Sequence, residues 1–572
     1  MLKNKLALRP YLEAIEKYCN QLSKNEMTET IINLAKEIPV GEREGFLNIL
    51  HSFSPTKKAI PDEENVRDKI FDQIEGLKED MQERIDSIED GTYWDTVDYE
   101  DGYYDDDPDY ISEDQVDDLL SLFETAERYF IDDRLELARD IYKQLFNFFH
   151  EFSELKYCMP SSTDTFDVKE SRARYCRCVY ETSDKKDLVD NMIEAMDLNA
   201  SISDRTLILE KEYYPMLQDV MDAKTGNLKD WDDFLEKWNA VLKIQKSNRA
   251  DTLQLEVALL LKGIDGVAEL ARKWGQNQPR GYIFWIQNLL TVGDWIASSE
   301  VCLEALNILP YNAFREQAAR YLIQAGNNVE EKALILTGKR EKFKSSPDET
   351  NLLDLAVEAD SQNVRKNELS TLLDEYKKLI VSPLREDTLY TKFLLMTGEV
   401  KTAFDDAKKA KSVGWSYGKA GLVFGSVLYL VCGKSDEAKT IKNLLKSYAN
   451  ARSGYSWGTI QDVSSTMYDE ILKGLIQYKI SSADQGTFLS WAHKIGAERI
   501  DHIVSNKHRK AYGRAAAVLG ALSECYILLG QKSNAQNLLN EFYFDKYKRY
   551  PAFRREVKSI FKSSGNLASL LM

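Results

Sequence analysis

The chain is 572 residues long, 43% hydrophobic, 29% charged and 11% aromatic, with a net charge of −18. Its 12 prolines and 28 glycines are too few for long Pro- or Gly-rich linkers or an all-β chain, so helix is expected to dominate. Seven scattered cysteines, an odd number, argue against a disulfide framework and for reduced thiols in a cytosolic protein.

The start of the chain, MLKNKLALRPYLEAIEKY, carries charges every few residues and has no apolar core, so no signal peptide is expected and the protein reads as cytoplasmic. Residues 1–55 form a short helical pair, with Leu12, Ile15 and Leu22 on one face and Ile31, Ile32, Leu34 and Ala35 following. From Asp62 a longer helix is expected, with Val66, Ile70, Ile74, Leu77, Met81, Ile85 and Ile88 spaced by fours and threes and Gly91 ending it. That stripe is either a coiled-coil seam or the core face of an amphipathic helix, and the second is the default. Residues 1–90 are taken as an N-terminal helical region.

Residues 91–114 carry ten acids and six aromatics with no Lys or Arg. Like-charge repulsion leaves such a stretch unable to fold alone, so it reads as a flexible or docked surface loop. The alternative is a calcium loop, but in Asp98-x-Glu100-Asp101-Gly102 the glycine comes one place too early and no closing glutamate follows. Residues 60–120 hold 24 Asp/Glu against 4 Lys/Arg, whereas residues 501–572 hold 12 Lys/Arg against 5 Asp/Glu. An acidic segment and a basic end are thus joined by a nearly neutral body, a polarity that bears on association.

From residue 115 a pattern recurs, in which glycine or a turn-forming residue is followed five places on by a small one. It appears at Gly263/Ala268, Gly398/Ala403, Gly433/Ala438 and Gly530/Ala535, with degenerate copies at Asp133/Ala138 and Gly293/Ser298. Steps near 30 to 35 residues mark a stacked helical-repeat array. Around Gly530 the first helix offers Leu519, Leu522, Ser523 and Tyr526 and the second Ala535 and Leu539. Around Gly433 the set is Leu422, Gly425, Ser426 and Tyr429, then Ala438. Small residues let two helices approach to ~8–10 Å while Leu or Tyr fills the groove beside them. Repeats are divided between 115–330 and 331–572, the latter with a basic C-terminal end; insertions are expected at 155–210 and 450–490. The longest apolar stretch, Gly421 to Cys432, is too short to cross a bilayer and suits a buried helix; no membrane partner is expected.

These offsets resemble the tetratricopeptide repeat, over about six units between residues 115 and 545. The resemblance implies an all-α, irregular tetratricopeptide-like α-solenoid of stacked antiparallel helix pairs. A looser resemblance concerns the order YEDGYYDDDPDY, then SRARYCRCVYETS, then VSNKHRKAYGRAAAVLGALSECYILLG and YKRYPAFRREV. It is similar to an uncharacterised bacterial helical-repeat family whose members sometimes carry a SWIM zinc finger. That finger needs Cys-x-Cys and then Cys-x-His. Cys176-Arg177-Cys178 supplies the first half, but no histidine has a cysteine two places before it, so no metal is predicted.

Five histidines (51, 150, 493, 502, 508) are too few for most metal or acid–base schemes. The six-residue spacing of His502 and His508 does not place both on one helical face, and a surface or interface role is expected. Gly414, Gly418, Gly421 and Gly425 follow no strand, so a phosphate-binding loop is not supported. Cys525, in an apolar run, reads as core. No catalytic residues, no cofactor and no small-molecule substrate are predicted; the chain reads as non-enzymatic.

The candidate binding residues lie in the basic C-terminal surface. Lys507, Arg509, Lys510 and Arg514 form one cluster; Lys548, Arg549, Arg554 and Arg555, with Lys546 and Lys558, form another, interleaved with Tyr512, Tyr543, Tyr547, Tyr550 and Phe553. Cations among aromatics are what phosphate neutralisation plus base stacking need. Two other readings stand beside that one: solvated charge over a final core, and a site for an acidic partner, the segment 91–114 included. The function expected is a protein-interaction scaffold or adaptor with a protein partner. The alternatives are a regulatory partner or substrate in a bacterial defence or stress-response system, or a nucleic-acid-associated factor.

Overall fold

A computed structural model describes residues 7–38, 45–47, 50, 63–95, 110–154, 166–198, 214–379, 388–409, 418–451 and 465–571. Most of the acidic segment, residues 96–109, lies outside the described residues, as do Cys158, His51 and Gly414 and the side chain of His150. The described elements are helices, and they divide into two compact units, residues 1–273 and 274–572. The 330/331 boundary drawn from sequence lies in the turn between two helices of the second unit.

The first unit begins with α1 (Leu8–Cys19) and α2 (Lys24–Glu37). The expected long helix is α3 (Glu63–Asp90), followed by α4 (Glu113–Ile131) and α5 (Leu135–Glu154). Ile70, Ile74, Leu77, Met81 and Ile85 are buried against α4 and α5, so the stripe is a core face. Ser112 and Gln115 cap the start of α4 reciprocally. Next come α6 (Val168–Thr182), α7 (Leu188–Ala195), α8 (Leu217–Asp222), α9 (Trp231–Leu242) and α10 (Asn248–Trp274). Cys176 and Cys178 both sit buried on α6; burial pushes the Cys176 thiol up to about 12 and that of Cys178 up as well. They are structural thiols. The turn expected at Gly263 is present inside α10: Gly263, at φ 66° and ψ −158°, separates two helical segments, and a side chain on Gly266 would press on the carbonyl of Ala258 in the first of them.

The second unit repeats one device. Its helices are α11 (Arg280–Thr291), α12 (Trp295–Ile308), α13 (Ala313–Asn328), α14 (Lys332–Ser345), α15 (Glu349–Ser361), α16 (Arg365–Leu379), α17 (Thr388–Met396) and α18 (Val400–Ala407). Then follow α19 (Lys419–Val431), α20 (Lys439–Ala449), α21 (Met467–Gln477), α22 (Ser482–Ser505), α23 (Tyr512–Leu528), α24 (Lys532–Leu539) and α25 (Pro551–Ser563). Among the described residues, six pairs across the two units are joined by three-residue turns whose middle residue is left-handed: Asp133, Gly293, Glu330, Asn363, Gly398 and Gly530, at φ 56–81°. In each the next N–H closes on a carbonyl five residues back, as in Glu331 to Gly326 (2.9 Å), Val364 to Ala359 (2.9 Å) and Gln531 to Tyr526 (2.8 Å). Residues 293, 330, 363, 398 and 433, all left-handed, are 33 to 37 apart. Three of the turns, at Asp133, Glu330 and Asn363, lack glycine, and of these only Asp133 was located from the sequence.

The small residues do what the spacing implied. Ser298, Ala305, Ala403, Ala438, Ser426, Ser523 and Ala535 are buried, and a side chain on Gly425 would press on Leu445 of the partner helix. Gly474 is closest of all: a methyl there would fall on the carbonyl oxygen of Leu395, at the point where α21 crosses α17. α21 also packs on α15 and α20, so this stretch departs from simple pairwise stacking. Glycine in mid-helix normally costs stability relative to alanine, and here close approach is the reason for it. Replacement of Gly474 by alanine is therefore expected to lower stability by about 2 kcal/mol. Gly486→Ala in α22, where nothing lies within 4 Å of the new methyl, should raise it by about 0.5–1 kcal/mol; denaturant unfolding of both variants separates the two effects. At Glu330 the strain is local, so Glu330→Gly should add about 1 kcal/mol by relieving the left-handed backbone, measured in the same way.

Candidate functional site

The basic C-terminal residues separate into two groups with different surroundings. The first gathers where α22 ends and α23 begins. Val504 and Ile503 accept from the N–H groups of Lys507 and His508 (both 3.1 Å), which is the turn geometry of the array with Lys507 as its left-handed residue (φ 58°). A single 3₁₀ turn, Arg509–Ala511, then leads into α23. This reversal brings His508 beside His502, ring centres 5.8 Å apart, although six residues cannot align them on one straight helix.

The result is a cavity of about 420 Å³ lined by Arg499, His502, Ile503, His508, Arg509, Lys510, Ala511 and Arg514. Four of these are permanent cations, two are imidazoles, and among the described residues lining it none is acidic. Arg499 forms the buried part (8% exposed), while Arg509, Lys510 and Arg514 are exposed. Burial lowers the Arg499 pKa, the charge of Arg514 lowers it further, and Tyr448 works against both. Burial raises Tyr448 to about 12, opposed by Arg499 and Arg514. The cavity therefore concentrates positive charge in a partly desolvated place, where an anion is worth more than at an open surface.

The second group is organised differently. Lys546 pairs with Asp501 at 2.5 Å, and the hydroxyl of Tyr547 donates to the same carboxylate at 2.7 Å. Arg554 lies over the ring of Tyr543, 4.6 Å from its centre. Lys548, Arg549 and Arg555 are exposed. The interleaved aromatics turn inward: Tyr512, Tyr543, Tyr547 and Phe553 are all buried, with Tyr550 half-buried. They build the last core, where Phe553 meets Tyr512 and Tyr547 edge-on. Base stacking needs open ring faces, and these four do not offer them.

Pairing sets Lys507, Arg509 and Lys510 apart from the charged clusters on other helices. In the first unit a cavity of about 330 Å³ is lined by Arg177, Lys185, Lys224 and Lys237 together with Glu181, Asp230 and Asp233. There Arg177 pairs with Glu181, Lys185 with both aspartates, and Lys224 with Glu181 and Asp133. The basic helix α14 is likewise neutralised: Lys339 pairs with Glu358, Arg340 with Glu368, Lys342 with Asp354 and Lys344 with Glu375. Among the described residues Lys507, Arg509, Lys510, Lys548, Arg549 and Arg555 enter no ion pair. Of the sequence-selected residues, Arg509, Lys510 and Arg514 thus line the cavity and Lys507 makes its turn. Lys548, Arg549, Arg554 and Arg555 belong to the other group. Arg499 was not selected, because a buried arginine inside a helix has no signature in the sequence.

Among the described residues no helix is long and apolar enough to cross a membrane, and no group of three or more His, Cys, Asp and Glu could hold a metal. No protein-family model matches the sequence, and no curated protein matches it. Among solved structures the chain is similar to a "Circular tandem repeat protein with novel repeat topology and enhanced subunit contact surfaces", at 12% identity over 88% of this chain and 98% of that one, with a TM-score of 0.14. At that score the two backbones diverge, and the helical-repeat description rests on the turns and packing above.

The two kinds of cation should respond differently to removal. Arg340→Ala takes away a two-pronged link between α14 and α16 and is expected to cost about 1 kcal/mol. Arg509→Ala and Lys510→Ala should stay within about 0.5 kcal/mol of the parent. Thermal unfolding of the three variants at one salt concentration makes the comparison.

Proposed function

We propose that the chain is a non-enzymatic, cytoplasmic adaptor built from helical repeats, and that it recognises an acidic partner protein through the cavity between α22 and α23. One observation carries this reading: four permanent cations line one concavity together, with no acidic residue in its lining. Like charge gathered in a concave, partly buried place favours an outside partner of opposite sign and speeds its encounter. Buried thiols with raised pKa values, Cys302 up to about 12 and Cys525 raised as well, support a packing role rather than nucleophilic chemistry. Service in a bacterial defence or stress-response system is the finer form of this reading.

The test compares the tagged parent with the Arg509→Glu/Lys510→Glu variant, each purified from the native host with and without nuclease and analysed by mass spectrometry. A stoichiometric protein partner should accompany the parent, survive nuclease and be lost from the variant. Recovery that collapses with nuclease moves the reading to nucleic acid. A partner retained by the variant places recognition on another surface.

A further inference from the structure

Away from that cavity, exposed charge of opposite sign gathers on two helices, one in each unit. We propose that the basic face of α25 binds the acidic face of α3 on a second copy of the chain, so that copies join head to tail. The inference goes beyond the adaptor reading and uses none of the residues that line the cavity.

Residues 546–562 hold seven Lys/Arg and one acid, Glu556. Phe553, Val557 and Phe561 turn into the core, while Arg555, Lys558 and Lys562, spaced by three and four, are exposed on the other side of α25. Arg554 donates to the carbonyl of Lys548 (3.4 Å), which keeps the exposed Lys548 and Arg549 beside the first turn. Among the described residues Lys548, Arg549, Arg555, Lys558 and Lys562 enter no ion pair. The acidic face has the same construction. α3 holds eleven acids and four bases. Asp72, Glu75, Glu79 and Glu83 are exposed, and each lies two residues from a buried Ile70, Leu77 or Met81, about 200° round the helix. These four carboxylates also enter no ion pair among the described residues.

Three arguments join these faces. Like charges three and four places apart oppose the helix that carries them, so each face bears a cost that the other removes when brought against it. The dimensions also match. The acidic stripe runs ~16 Å along α3, and Arg555 to Lys562 cover ~10 Å of α25, which Lys548 and Arg549 extend past the first turn. Both faces are the outer sides of straight helices and meet along a line. Finally, a net charge of −18 makes two copies repel in orientations that do not set acid against base. The two faces are different patches, so the contact is heterologous: each added copy leaves one face of each kind open, and growth continues beyond two. Exposed ion pairs are individually weak, so the association depends on concentration and on salt.

Sedimentation velocity of the nuclease-treated protein over a range of concentrations tests this. The average mass should rise with concentration at ~50 mM salt and fall back to the monomer at ~500 mM, where screening acts within a few ångström. Two neutralised variants, Glu75→Gln/Glu79→Gln/Glu83→Gln and Arg555→Gln/Lys558→Gln/Lys562→Gln, should each associate about tenfold more weakly or worse with unchanged circular dichroism. Mixed together, they should pair one to one and stop there, because each keeps the face that the other lacks. A damaged fold would not give that pairing. A mass independent of concentration at low salt overturns the proposal. So do variants that associate as the parent does, variants that fail to pair when mixed, and assembly that disappears with nuclease. None of these outcomes bears on the Arg509→Glu/Lys510→Glu comparison, so the adaptor reading and this one fail separately.

Discussion

The second unit depends on one backbone event: a residue that leaves a helix in the left-handed conformation so that the next N–H can close on the carbonyl five residues before it. This bond uses a carbonyl that the helix end would otherwise leave unpaired, and it fixes the direction in which the chain returns. Everything in the pairing follows from that direction. The following helix must lie against the preceding one, so the facing positions must be small, and Ser298, Ala403, Ala438 and Ala535 all come five residues after such a residue. Where the approach is closest even alanine is excluded, as at Gly474 beneath Leu395.

Close packing alone does not choose among neighbouring registers, since a helix of small residues can slide. In this unit ion pairs between helices supply that choice. The cations of α14 reach carboxylates on α15 and α16. Arg365, which follows the left-handed Asn363, meets the fully buried Glu470 of α21, and Lys473 shares the same carboxylate. Lys392, almost fully buried, pairs with Glu349 at 2.6 Å and donates to the carbonyl of Ala451 at 3.0 Å. Glu524 is buried in α23 and accepts from the N–H of Ile441 and the hydroxyls of Thr440 and Ser564. Such buried polar groups add little net stability, but each penalises any arrangement that leaves it unpaired.

Sequence reading found the array because glycine usually supplies the left-handed residue; without glycine it found the pair at Asp133 and missed those at Glu330 and Asn363. Asn363 is a residue that tolerates this conformation, and Glu330 holds it against a side-chain cost that packing of α13 on α14 offsets. The basic end was legible in composition but not in division. Aromatics and cations alternate along residues 543–555, and only the fold reveals that most rings face the core while the charges face out. The histidine pair was set aside on helical spacing, correctly for a continuous helix, and the turn at Lys507 removes that premise.

That turn connects the architecture to the site. Its bonds, from Lys507 to Val504 and from His508 to Ile503, are those that elsewhere return one helix onto another. Here the return is delayed by the 3₁₀ turn Arg509–Ala511, so the chain carries Arg509 and Lys510 past the end of α22 before α23 begins. The delay opens a concavity where the other turns leave two helices in contact, and cations from both sides line it. A side chain on an ordinary turn of the array would have the opposite helix within reach, and in α14 the carboxylates there neutralise it. At this turn no carboxylate lines the space among the described residues. An array that settles its own charges helix by helix can hold such a site at one modified turn without disturbing the pairs around it, which is why the structural cations and the candidate binding cations can be changed independently.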